Sequence, residues 1–209
     1  MASLESQYRV AVLVGSLRAE SLTRKLAKAL ITLAPTDLAC TIVEIGDMPL
    51  YNDDLEANAP QSWTQFREHI KSVDGILFAT PEYNRSIPAC LKNALDVGSR
   101  PYGHNAFGGR VGAVISQSPG AMGGFGANHA LRQSLVFLNV PVMQQPEAYV
   151  GDTGKLFNAD GTLSNKDTEG FLASFMEAYA AWLRLLRPRQ FEKRDGLLAG
   201  DEQRTSVLT

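Results

Sequence analysis

The 209-residue sequence predicts an α/β domain built on a five-stranded parallel sheet with helices on both faces. Two observations carry that expectation. Short apolar runs alternate along the chain with segments whose apolar residues recur at helical spacing, and strands joined by helical crossovers run parallel. Length and composition agree: 209 residues bury a sizeable core without disulfides or metals, and 44% hydrophobic with 20% charged residues is ordinary for a globular protein.

The elements follow in order. "YRVAVLV" is apolar, β-branched and short, a buried first strand. Leu22, Leu26, Ala29, Leu30 and Leu33 then line one face of a helix that Pro35 stops. "LACTIVEI" is a second strand and "DMPLYNDDLEANAP" a polar loop, with Asp53 and Asp54 solvated in it. Residues 61–73 form a second helix leading into "GILFAT", the third strand. A helix over about 88–97, the strand "RVGAVIS" and a helix over about 124–138 repeat the pattern. A short strand follows around 141–143 and continues or restarts near Ala148. In "DTEGFLASFMEAYAAWLRLLR" the aromatics Phe171, Phe175, Tyr179 and Trp182 recur at helical spacing, which marks core packing. Five strands and five helices fit the flavodoxin-like doubly wound order 2-1-3-4-5. One domain covers residues 1–188, and the polar stretch 189–209, without a core pattern, is a flexible tail.

Composition also bounds the partners. A net charge of −2 gives no reason to expect nucleic acid or an anionic membrane. No apolar run reaches the roughly 20 residues of a bilayer span, and "MASLESQYRV" lacks a signal-peptide core, so the protein is expected in the cytoplasm. Cys40 and Cys90 are far apart and expected to be buried thiols in a reducing compartment. His69, His104 and His129 are scattered, without metal-ligand spacing, and "SPGAMGGFG" has no G-x-S-x-G nucleophile elbow.

Ligands of such sheets bind outside the carboxyl ends of the strands, where three loops have unusual composition. In "LVGSLRAESLTRKLAKAL" the first strand exits past Ser16, Arg18, Ser21 and Thr23 into a helix N-terminus. Hydroxyls, a guanidinium and a positive dipole end together suit an anion. The dinucleotide fingerprint and the Walker lysine are absent, so a monophosphate ester such as FMN fits best. "TPEYNRSIPACLKNALD" follows the third strand, where Pro81 and Pro88 bracket a rigid segment able to read a flavin edge and Tyr83 offers a wall for the ring. "SQSPGAMGGFGANHALRQ" leaves the fourth strand, with Gly120, Gly123, Gly124 and Gly126 open to close backbone approach and a second helix N-terminus aimed inward.

These three stretches, in this order, resemble the NADPH-dependent FMN reductase family, with the bacterial quinone and chromate reductases and azoreductases nearest. The likeness spans residues 10–186, and P-E-Y-N is its specific part. The resemblance implies that Ser16, Arg18, Ser21, Leu22 and Thr23 hold the FMN phosphate. It implies that Pro81, Glu82, Tyr83 and Asn84 border the isoalloxazine, with Ser118, Gly120, Gly123 and Gly124 near its pyrimidine side. Two positions depart from relatives. Val97 follows "LKNALD" where a tryptophan is common, which implies a different pocket wall, and His129 stands where some relatives carry a tyrosine used in tetramer contacts.

The implied activity is an FMN-dependent NAD(P)H oxidoreductase, with NADPH or NADH as cosubstrate, that reduces small-molecule electron acceptors such as quinones, azo dyes, metal oxyanions or free flavin by a ping-pong mechanism. No catalytic side chain and no metal is expected, because the cofactor carries the chemistry. A homodimer or homotetramer is expected, with residues 89–95 and 131–138 offering apolar helix faces. The alternatives are a flavodoxin-type electron carrier without NAD(P)H activity of its own and a cofactor-free interaction domain.

Overall fold

The computed structural model describes residues 7–188. The expected tail at 189–209 falls outside the described residues. The chain runs β1 (Tyr8–Val14), α1 (Leu22–Thr32), β2 (Leu38–Val43), α2 (Gln61–Ser72), β3 (Gly75–Pro81), α3 (Ala89–Gly98), β4 (Val111–Gln117), α4 (Phe125–Phe137), β5 (Ala148–Val150) and α5 (Lys166–Leu186). All strand pairs are parallel and the sheet order is β2-β1-β3-β4-β5, as the alternating pattern predicts.

Side-chain alternation along β1 explains the two helical layers. Val10, Val12 and Val14 point to the face covered by α1 and α5, where they meet Leu26, Leu30, Phe175 and Tyr179. Ala11 and Leu13 point to the opposite face, against Trp63 and Phe66 of α2, Leu91 of α3 and Leu131 of α4. Every residue of β3 and β4 is buried, so these central strands have no solvent face. Helix α5 starts where Asn165 accepts the Asp167 and Thr168 N–H groups, and it buries Phe175 and Tyr179. Phe171 corrects the sequence expectation: it is partly exposed at the first turns of α5, while Trp182 is half-buried and donates to the Pro141 carbonyl.

Other differences are local. The polar loop after β2 contains a 3₁₀ turn at Asp53–Asn58, capped by Asn52 and tied down by the bidentate Arg67–Glu56 pair. Asn93 of α3 holds the same loop by accepting the Tyr51 N–H and donating to the Pro49 carbonyl. Val142 makes only an isolated bridge to Gly112, and the fifth strand proper begins at Ala148. The apolar residues of 89–95 and 131–138 turn inward: Leu91, Ala94, Leu95, Leu131, Leu135 and Leu138 are buried on the sheet, because a parallel sheet must be covered. Val136 and Phe137 remain exposed, at 77% and 80%. Cys40 and Cys90 are free and half-buried against the core, and burial pushes the Cys40 thiol up to about 11.

Candidate cofactor site

The carboxyl ends of β1, β3 and β4 open into a single cavity of about 150 Å³, lined by residues from all three expected loops. It holds more than one water, has room for a phosphate-sized group, and is reached by several polar side chains. Ser16, Arg18, Ser21, Leu22, Thr23, Pro81, Glu82, Tyr83 and Ser118 all reach it. Asn84, Gly120, Gly123 and Gly124 do not belong to its lining, whereas Gln117 and Pro119, which the sequence reading missed, do.

The first loop is built to donate. Its entry is pinned where the Gly15 N–H bonds the Ala79 carbonyl at 2.8 Å, a position at which any Cβ would press on Leu91, Thr80 and Pro81. Ser21 caps α1, and its Oγ accepts the Arg24 N–H at 3.1 Å. The Thr23 Oγ1 accepts from Gln117 Nε2 at 2.8 Å. Each hydroxyl therefore accepts one hydrogen bond on the protein side, and no described residue takes either proton. The Leu22 and Thr23 N–H groups, in the first helical turn, have no intrahelical acceptor. Arg18 is exposed and, among the described residues, makes no ion pair, while the neighbouring Arg24 is held in a bidentate pair with Glu44. Buried hydroxyls with protons to give, bare helix N–H groups and a free guanidinium form a donor set, which fits a phosphate and disfavours a cation.

The other two loops behave differently. Tyr83 and Ser86 exchange both backbone hydrogen bonds at 2.9 Å around Asn84 and Arg85, whose φ values are 51° and 65°. The P-E-Y-N-R-S stretch is thus a two-residue hairpin with the positive φ pair of a type I′ turn. That geometry uses the Tyr83 N–H internally, on the Ser86 carbonyl. Glu82 caps the α4 N-terminus by accepting the Ala127 N–H at 3.0 Å, which places a carboxylate at the positive end of that helix. In the glycine-rich loop, Gly123 and Gly124 adopt φ of 58° and 75°, and a Cβ on Gly123 would lie 2.5 Å from the Tyr149 backbone carbon. Those glycines let the loop lie on the exit of β5, where the Ser118 N–H bonds Val150 and the Thr153 N–H bonds Ser118. Val97 is fully buried, its carbonyl accepts from Arg67 Nε, and it forms no wall of the cavity.

His129 stacks by Phe125 and Tyr149, with its Nε2 3.0 Å from the Tyr149 hydroxyl, in a surface cluster beside α4. Among the described residues, no three His, Cys, Asp or Glu side chains gather as metal ligands would.

Comparison with known proteins decides the family. The model of the NADPH-dependent FMN reductase family matches residues 8–155, a stretch that holds all three loops. This chain is a member of that family. Among curated proteins, a quinone reductase of Pseudomonas putida is 60% identical over 181 residues, covering 86% of this chain and 97% of that protein. A 2-hydroxy-1,4-benzoquinone reductase of Burkholderia sp is 44% identical over 176 residues, covering 84% and 96%. Among solved structures, the flavoenzyme FerB, an NAD(P)H:(acceptor) oxidoreductase from Paracoccus denitrificans, superposes with a TM-score of 0.81 at 42% identity, covering 85% of this chain and 98% of that one. An FMN reductase needs a seat for one phosphate monoester, and the donor set at the start of α1 has that chemistry.

Proposed function

We propose that this FMN reductase family member is an NAD(P)H-dependent quinone reductase with FMN seated in the cavity above β1, β3 and β4. The observation that carries the reading is the one-sided polarity of the first loop and the start of α1, where Ser21 and Thr23 keep protons for a ligand and Arg18 has no ion-pair partner among the described residues. Two relatives named as quinone reductases, 60% and 44% identical, support the acceptor class. Azo dyes, metal oxyanions and free flavin belong to the same proposal as further acceptors.

Bound FMN supplies a two-electron store that is filled by a reduced nicotinamide and emptied by the acceptor in separate half-reactions. The chain's own residues bind and orient. Ser16, Ser21, Thr23, Arg18 and the first N–H groups of α1 hold the phosphate. Pro81, Glu82, Tyr83 and Ser118 border the ring, with Asn84 and Gly120 just beyond that lining. Gly123 and Gly124 shape the loop by close packing, Gly123 on Tyr149 of β5 and Gly124 on Ser116 and Gln117 of β4. No side chain is assigned a proton transfer.

The same reading places the enzyme in the cytoplasm, without nucleic-acid or membrane partners. Among the described residues no helix is long and apolar enough to cross a membrane. It also includes a homodimer, or a tetramer of such dimers, with exposed Val136 and Phe137 at the contact.

The test is direct. The purified protein should carry, or take up, a flavin that is identified as FMN after acid release. Initial rates against NADPH and a benzoquinone should give parallel double-reciprocal lines. A protein that never binds FMN would overturn the proposal. Intersecting lines would require separate donor and acceptor sites. Reduction only through a partner reductase would identify an electron carrier, a role that a net charge of only −2 does not favour.

A further inference from the structure

Behind the phosphate cradle lies a buried chain of three side chains whose last member stands behind the cavity wall and does not line it. Thr153 opens the 3₁₀ turn after β5, is fully buried and forms no part of the cavity wall. Its Oγ1 lies 2.6 Å from Gln117 Oε1, and Gln117 Nε2 lies 2.8 Å from Thr23 Oγ1. The Thr153 N–H is also fixed, on the Ser118 carbonyl at 3.2 Å.

Thr153 Oγ1 donates to Gln117 Oε1, and Gln117 Nε2 donates to Thr23 Oγ1. The 2.6 Å contact has the length of an O–H···O bond, which fits an amide that turns its oxygen to Thr153 and its NH₂ to Thr23. Thr23 must then accept, and its own proton has no acceptor among the described residues except a ligand in the cavity. Were the amide reversed, Gln117 would present an oxygen to Thr23 and take that proton, and the cradle would lose a donor.

We infer that Thr153 is a positioning residue that, through Gln117, fixes the Thr23 hydroxyl as a donor to the phosphate of the bound cofactor. The inference rests on the proposed FMN site but concerns any phosphate group held at the start of α1. Valine at position 153 keeps the shape and removes the hydroxyl that holds the amide oxygen; Thr23, whose hydroxyl can donate or accept, does not fix the direction alone, so Gln117 becomes free to turn.

The experiment is a titration of apoprotein with FMN and, separately, with riboflavin, which lacks the phosphate, for the wild type, T153V, T153S, T23V and T23V/T153V. T153V should weaken FMN about fivefold, the worth of one neutral hydrogen bond, and leave riboflavin within about twofold. T153S, which retains the hydroxyl, should recover wild-type FMN affinity. Once T23V has removed the donor, adding T153V should cost nothing further. Equal losses for FMN and riboflavin, no loss for either, or additive losses in the double variant would overturn the inference. The thermal shift given by inorganic phosphate is measured in parallel. A wild type that ignores FMN but is protected by phosphate would defeat the flavin assignment while leaving the relay open to the same variants. A wild type that binds neither would defeat both.

Discussion

Two polypeptide loops leave the carboxyl end of the sheet on either side of β3, from β1 and from β4, both rich in small polar or glycine residues, and they treat their hydrogen-bond donors in opposite ways. The loop between β1 and α1 keeps donors in reserve: the protons of Ser21 and Thr23 and the Arg18 guanidinium have no described protein acceptor. The loop between β4 and α4 uses its donors internally. The Gly120 N–H bonds Ser118 Oγ and the Gly123 N–H bonds the Gly120 carbonyl, while the Ala127 N–H at the start of α4 is taken by Glu82 of the loop after β3. Folding stability should thus depend on the second loop and ligand affinity on the first, because a buried donor without a partner is costly and is tolerated where a ligand completes it.

The largest effect should come from Gly123→Ala. It forces a side chain into positive φ and against the Tyr149 backbone. Together these should cost about 3 kcal/mol of stability in the apoprotein. Urea denaturation without flavin measures it. An unchanged midpoint would mean that the loop is not seated on β5.

Arg18→Ala makes the opposite case. The exposed guanidinium has no described ion pair, so the apoprotein should melt as the wild type does. FMN affinity should fall by about 1.5–3 kcal/mol, the worth of a charge-assisted hydrogen bond, while riboflavin affinity holds. Isothermal titration with the two ligands separates the outcomes, and equal losses would remove Arg18 from the phosphate site.

Glu82→Ala tests the boundary between the two behaviours, since Glu82 both lines the cavity and caps α4. Losing the cap should lower apoprotein stability by about 1 kcal/mol, with Glu82→Gln recovering most of it because an amide oxygen still accepts. If thermal unfolding shows no change in the apoprotein while flavin binding collapses, Glu82 belongs with the ligand-facing set.

The contrast between the loops was only half legible in the sequence. Strand order, helix faces and the Ser16–Thr23 hydroxyls were readable, because apolar periodicity and capping chemistry are local properties. The role of the glycine-rich loop is not legible: a glycine that admits a ligand and one that packs on Tyr149 look the same in a sequence. The hairpin at Tyr83–Ser86 was missed because Arg85 takes a positive φ usually given to glycine. Gln117 was missed because its meaning depends on Thr153, 36 positions away, although two polar residues ending the apolar strand "VGAVISQ" were a usable signal.

The smallest effect tests whether Arg24 stands outside the cradle despite its place on α1. Its guanidinium grips Glu44 of the segment after β2 through two bonds of 2.7 and 2.6 Å. That hydrogen bonding, reinforced by the opposite charge, holds the Glu44 carboxyl below its usual range although partial burial works the other way. A depressed carboxyl contributes stability above the unfolded value near 4.5 and loses it as pH falls through the folded value. Glu44 is 64% exposed, so solvent screening keeps the whole contribution under about 0.5 kcal/mol. Glu44→Gln should therefore be slightly less stable than the wild type at neutral pH, with the two curves merging in acid. FMN affinity should stay within about twofold, because the donors of the cradle are elsewhere. A tighter FMN complex in Glu44→Gln would show a released Arg24 reaching the phosphate. A much weaker one would show that the pair orients the α1 N-terminus, and either result would move Arg24 into the ligand-facing set.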